Sequence, residues 1–217
     1  YAPQHYRDTY KKYIIDKNIQ HDNVIVNIFV GNDFSDAVRY PWKIQPPEGK
    51  GSRYYPWIIN LIIGAINVQG NIENYNLEIK ESAHRISLPY REIGIRYLWW
   101  TPEPSNTQWS EVDKALRDIL QMASKVNAKV SFVIVPSPAS VYGVKLHPDF
   151  SEYNDKNIEI VNEFKKRFSD INIIDPNEKI AEAIESKFLY ISESNAHFNT
   201  YGIKIFFNII LEKLDLQ

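Results

Sequence analysis

Three short runs of β-branched and other apolar residues, separated by helix-length amphipathic stretches, constrain this chain more than anything else in it. "NVIVNIFVG" (23–31), "AKVSFVIVP" (128–136) and "INIIDP" (171–176) are nearly continuous in apolar residues. A strand with one wet face alternates apolar and polar residues; one that does not alternate is expected to be covered on both faces. The intervening segments carry a helical period. Residues 108–126 place Val112, Leu116, Ile119, Leu120 and Ala123 on one face. Residues 154–168 do so with Ile158, Val161, Phe164 and Phe168, and 199–214 with Ile203, Phe206, Phe207, Ile210 and Leu214. A shorter helix is expected over 177–187. Another opens the chain over 3–18, starting at Pro3 and carrying Tyr6, Tyr10, Tyr13 and Ile14 at helical spacing. Strands alternating with helices are joined by crossovers, so the expected fold is α/β, a three-layer parallel sheet flanked by helices.

The pattern loosens over 38–105, which reads as an insertion or cap within one domain of 217 residues. Its apolar run "PWIINLIIGAINV" (56–68) is interrupted by Asn60 and Gly64 and is too short to span a bilayer, so a buried helix is expected there and no transmembrane segment. Hydrophobic residues make up 44% of the chain, enough for a core. The net charge of −2 offers no basic field for nucleic acid and no charge run for a membrane surface. There is no cysteine, which excludes disulfides, thiolate chemistry and Cys-ligated metal and is compatible with an oxidising compartment; a periplasmic or secreted location is the expectation. No Gly-rich phosphate loop is present, and no cofactor is expected. Asp33 and Asp36 without a clustered His read as turn and capping residues rather than a metal pair. The aromatics Tyr54, Tyr55, Trp57, Trp99, Trp100 and Trp109 read as core or cap packing, with stacking on sugar rings as the alternative. The chain opens on the polar "YAPQHYRDTYKKY", without a signal-peptide pattern or an initiator Met, and reads as the start of a processed segment.

In parallel α/β sheets ligands sit at the C-terminal ends of the strands. Three such corners are predicted: Gly31-Asn32-Asp33, Pro136-Ser137 and Asp175-Pro176. Gly, Asn and Asp are turn residues, so the first corner has a conformational reading. It also has a chemical one, in which the Asn32 amide is presented to a substrate. A second constellation lies in "SESNAHFNTYG" (192–202), where His197 precedes the last helix and Asn199 or Thr200 can cap it. A helix N-terminus favours the neutral, basic imidazole. The other histidines, His5, His21, His84 and His147, read as structural or exposed.

"FVGND" after a strand, "FVIVPS" on the next and "AHFNTYG" before the last helix, in that order, resemble the SGNH or GDSL-like hydrolases. The resemblance covers roughly 20–36 and 105–215. It implies a flavodoxin-like sheet and a serine esterase, acyl hydrolase or O-acyltransferase, with a small-molecule or carbohydrate ester as partner. Asn32 then matches the oxyanion donor, with Gly31, Asp33 and Ser194 beside the substrate, and His197 matches the base that takes the proton from a nucleophilic serine. Two departures stand out. No "GDS" or "GxSxG" occurs, so the nucleophile's block is expected upstream of residue 1, and Ser35 is not read as its replacement. The family's acidic residue, two or three positions before the His, is replaced by Asn195 and Ser194, with Glu193 one residue further away. An amide there accepts a hydrogen bond but does not stabilise an imidazolium as a carboxylate does. A non-catalytic binding module on the same fold is the alternative.

Overall fold

The computed structural model describes residues 2–44, 84–88, 91–95, 103–145, 151–192 and 195–214. Three parallel strands organise it: β1 (Asn23–Phe29), β4 (Lys129–Val135) and β5 (Asn172–Ile174), in the spatial order β1–β4–β5. β1 lies on β4 in unbroken register from Asn23 opposite Lys129 to Phe29 opposite Val135. Two antiparallel hairpins stand apart from this sheet: β2 (His84–Leu88) with β3 (Arg91–Ile95), and β6 (Tyr190–Ser192) with β7 (Asn195–Phe198). The helices are α1 (Pro3–Tyr10), α2 (Asp33–Ile44), α3 (Asn106–Lys125), α4 (Pro138–Lys145), α5 (Ser151–Arg167), α6 (Asn177–Ile184) and α7 (Thr200–Lys213). A π-helical turn, Lys11–Ile15, continues α1.

Successive β4 side chains point to opposite faces of the sheet, and each face has its own core. Phe132 and Ile134 join Val26 and Ile28 of β1, and Val30 just past it, under α1, α2, α3 and α5. Phe34, Trp109 and Phe164 meet there edge to face or tilted, with ring centroids 4.7–6.0 Å apart. Val133 and Val135 pack on the other face with Ile174, α4, α6, Tyr190 and the inner side of α7. The molecule is therefore mixed α/β, with a three-stranded parallel sheet and helices on both faces.

Four sequence expectations change. β1 is not covered on both faces: Val26, Ile28 and Val30 are buried, whereas Ile25 is 39% exposed and Asn27 is exposed. β1 is the edge strand of the described sheet, and among the described residues nothing seals its Ile25 side. Ile158 also faces outward, at 44% exposed. The inward stripe of α5 is Asn157, Ile160, Val161, Phe164 and Phe168, so an asparagine takes the position that hydrophobicity alone assigns to a neighbour. On α7, Gly202, Phe206, Ile209 and Ile210 are buried, while Ile203 and Phe207 are about half exposed. Its apolar arc is wider than the face that packs. Tyr13 likewise faces solvent, at 49% exposed.

Two described elements fall in the stretch expected as an insertion. α2 runs through its start as far as Ile44, and the β2–β3 hairpin lies within it. The apolar run 56–68 and the aromatics Tyr54, Tyr55, Trp57, Trp99 and Trp100 fall outside the described residues. Among the described residues no helix is long and apolar enough to cross a membrane.

Candidate functional site

β1 delivers the Gly-Asn-Asp corner. The backbone N–H of Val30 donates to Val135 at 3.2 Å, extending the ladder one residue past the strand. The chain then turns, and the N–H of Asp36 donates to the Asn32 carbonyl at 2.8 Å, the first bond of α2. Gly31 is not in a left-handed conformation. It allows a close approach: an added Cβ would lie 2.5 Å from the tip of the Phe29 ring, which would have to swing aside. The glycine therefore answers to packing rather than to the backbone freedom of a turn.

Asp33 is 1% exposed. One of its carboxylate oxygens, Oδ2, accepts from the Phe29 backbone N–H at 2.9 Å and from the Tyr6 hydroxyl at 2.8 Å. The carboxylate thereby ties α1, the end of β1 and the start of α2 together. Burial raises its pKa to about 7 despite those two donors. Burial and the adjacent carboxylates also push the Tyr6 phenol upward, so it remains a donor at neutral pH. Asp33 is thus a buried acid bonded to Phe29 and Tyr6.

Asn32 is half-buried. Residues at the start of a helix commonly turn their side-chain oxygen back to accept a first-turn N–H. Asn32 does not: its Nδ2 donates to Oδ2 of Asp36 at 3.3 Å, and the Ser35 hydroxyl donates to its backbone carbonyl at 2.9 Å. Asn199 shows the ordinary arrangement, accepting from the Gly202 N–H at 2.9 Å.

The second corner, after β4, is closed rather than chemical. Ser137 is fully buried, and its hydroxyl oxygen accepts the Ser140 N–H at 3.3 Å. Ser140 in turn donates to Asn177 Oδ1 at 3.2 Å, and Asn177 Nδ2 donates to Asn154 Oδ1 at 2.9 Å. At the third corner Asp175 accepts the Asn177 N–H at 3.0 Å, and burial raises its pKa. Asn157, three residues from Asn154 on α5, is fully buried, and its amide makes no hydrogen bond. This polar cluster, joining α4, α5 and α6, was not legible in the sequence, because its members are uncharged and far apart along the chain.

His197 lies on β7, not in an irregular loop, and is exposed. The hairpin that carries it is firmly held. Phe198 stacks on Tyr190 and leans on Phe206. Asn199 Nδ2 donates to the carbonyls of Phe188 and Tyr190, both at 2.9 Å. Gly202 is required where α7 passes the hairpin, since a Cβ would sit 2.2 Å from the Leu189 carbonyl oxygen. Asn195 opens β7 opposite Ser192; Ser194 and Glu193 lie outside the described residues. The structure thus gathers Gly31, Asn32 and Asp33 at one corner and Asn195 and His197 on one hairpin. No hydrogen bond joins Asn32 to His197.

A groove of about 280 Å³ runs between the start of α3 and α5, lined by Glu103, Trp109, Glu159, Glu163 and Arg167 among others. Of the residues singled out from the sequence it contains Trp109 alone, and none of the candidate catalytic residues lines it. Arg167 fills much of its charge, donating to Asp113 at 2.8 Å and Glu163 at 2.6 Å and lying 4.6 Å from the Trp109 ring centre. Among the described residues no group of three or more His, Asp or Glu side chains is placed to hold a metal ion.

No protein-family model, no curated protein and no solved structure matches this chain.

Proposed function

We propose that this chain is part of an SGNH-like serine esterase or acyl hydrolase with a flavodoxin-like sheet, acting on the O-acyl ester of an alcohol such as a carbohydrate. The observation that supports this reading best is the state of Asn32. It stands at the C-terminal end of a parallel strand, and its amide is not spent on capping α2. An amide donor so placed suits the oxyanion of a tetrahedral intermediate. His197, on its hairpin just ahead of α7, is the base of the proposal. Asn195 stands in the sequence where the resemblance places the family's carboxylate.

Ser35, Ser137 and Ser140 do not suit the nucleophile's role. Ser35 donates to a backbone carbonyl, and the other two are fully buried. In this reading none of these three serines is the nucleophile. Transfer to a polysaccharide hydroxyl, instead of to water, would use the same groups. A binding module without catalysis is the reading that Asn195, standing where the family has an acid, favours.

A fluorophosphonate probe followed by intact mass and peptide mapping tests the proposal on the native protein. An adduct on a serine, lost in His197→Ala, is the expected result. An unlabelled protein would refute the esterase and leave the binding module.

A further inference from the structure

The partner of the Asn32 amide fixes which way that amide faces. Asp36 lies one helical turn further along α2, and its Oδ2 takes a hydrogen bond from Asn32 Nδ2 at 3.3 Å. A carboxylate only accepts, so it selects the NH2 end of the amide and turns Oδ1 away. The bond is long for a charge-assisted one, so its effect is on orientation more than on stability. The NH2 group has two protons, and Asp36 takes one.

Without this acceptor, an asparagine ahead of a helix gains by rotating its oxygen onto the unpaired N–H groups of the first turn. That rotation would spend the side chain on the helix. Ser35 steadies the same residue from the other side, donating to the Asn32 carbonyl at 2.9 Å. We propose that Asp36 is a positioning residue, holding the Asn32 amide out of the capping rotamer so that its second N–H is available to an anionic oxygen. This rests on the reading of Asn32 as an oxyanion donor. The "NDFSD" spacing carries it: Asn32 and Asp36 come into register only because α2 begins at Asp33.

Side-chain amide NMR on the full chain tests both parts, with sodium acetate as the anionic probe. The Asn32 pair is assigned by its disappearance in Asn32→Asp. In the wild type, two well-separated Asn32 amide protons are expected, with acetate shifting the one not bonded to Asp36. Asp36→Ala should narrow the separation to that of an ordinary solvent-exposed asparagine amide and abolish the acetate shift. Asp36→Asn, which keeps the shape and can still accept through its carbonyl, should retain part of both. Each variant must keep the wild-type backbone spectrum. Unchanged separation and acetate response in Asp36→Ala would overturn the proposal. Narrowing of the separation in Asp36→Ala, with no acetate response even in the wild type, would overturn the oxyanion reading while leaving the Asp36 tie standing.

Discussion

Asp33 offers the sharpest quantitative test, because its proton is linked to folding. The residue is 1% exposed, and burial lifts its pKa from 3.8 to about 7, outweighing the Phe29 N–H and the Tyr6 hydroxyl. The folded chain therefore binds this proton more tightly than the unfolded chain does. The corresponding stability is fully present below pH 3.8 and is lost as the pH rises through about 7. At ~1.4 kcal/mol per tenfold change in affinity, the loss amounts to about 4 kcal/mol. Asp33→Asn mimics the protonated acid and removes the linkage. Urea unfolding of both proteins at several pH values from 4 to 8.5 reads it out. The wild type should lose stability relative to the variant by about 4 kcal/mol across that range, whatever fixed cost the substitution carries. Parallel curves, or an Asp33 carboxyl carbon that titrates in the ordinary carboxylate range, would refute the argument.

Other predictions concern the framework around the two constellations. Tyr6→Phe removes a donor to Asp33, so the Asp33 pKa should rise further, and the variant should lose about 1.5–3 kcal/mol where the carboxylate is charged; carbon-detected titration and urea unfolding at pH 8.5 check this. Asn199→Ala deletes the α7 cap and two bonds to the hairpin, a cost of about 2–4 kcal/mol in urea unfolding. Gly202→Ala forces a Cβ against the Leu189 carbonyl and should lower the melting temperature more than Gly31→Ala, where the clash is with a ring able to swing aside. Phe164→Ala empties the centre of the aromatic cluster and should cost about 3–5 kcal/mol in chemical denaturation.

The sequence by itself determined the parts of this protein that depend on local periodicity. The three parallel strands are legible because apolar β-branched runs do not suit amphipathic helices. α3 is legible because its buried Val112, Leu116, Ile119 and Ala123 recur at the helical period. The Gly-Asn-Asp corner and the Asn199 cap are legible because their backbone demands are met by few residue types. Tertiary structure decided what depends on neighbours. Asn157, not Ile158, faces inward, although its amide makes no hydrogen bond there, and side-chain hydrophobicity alone does not anticipate that choice. Half of β1 is open because it lies at the edge of the described sheet, and strand order is not written in a strand's own composition. The β6–β7 hairpin is too short to show an alternating pattern, so His197 reads as a loop residue until Phe198 and Asn199 are seen anchoring it. The buried acid of Asp33 exists only once a tyrosine from α1 and a strand-end N–H close over it, since an aspartate in a turn is ordinarily hydrated and charged.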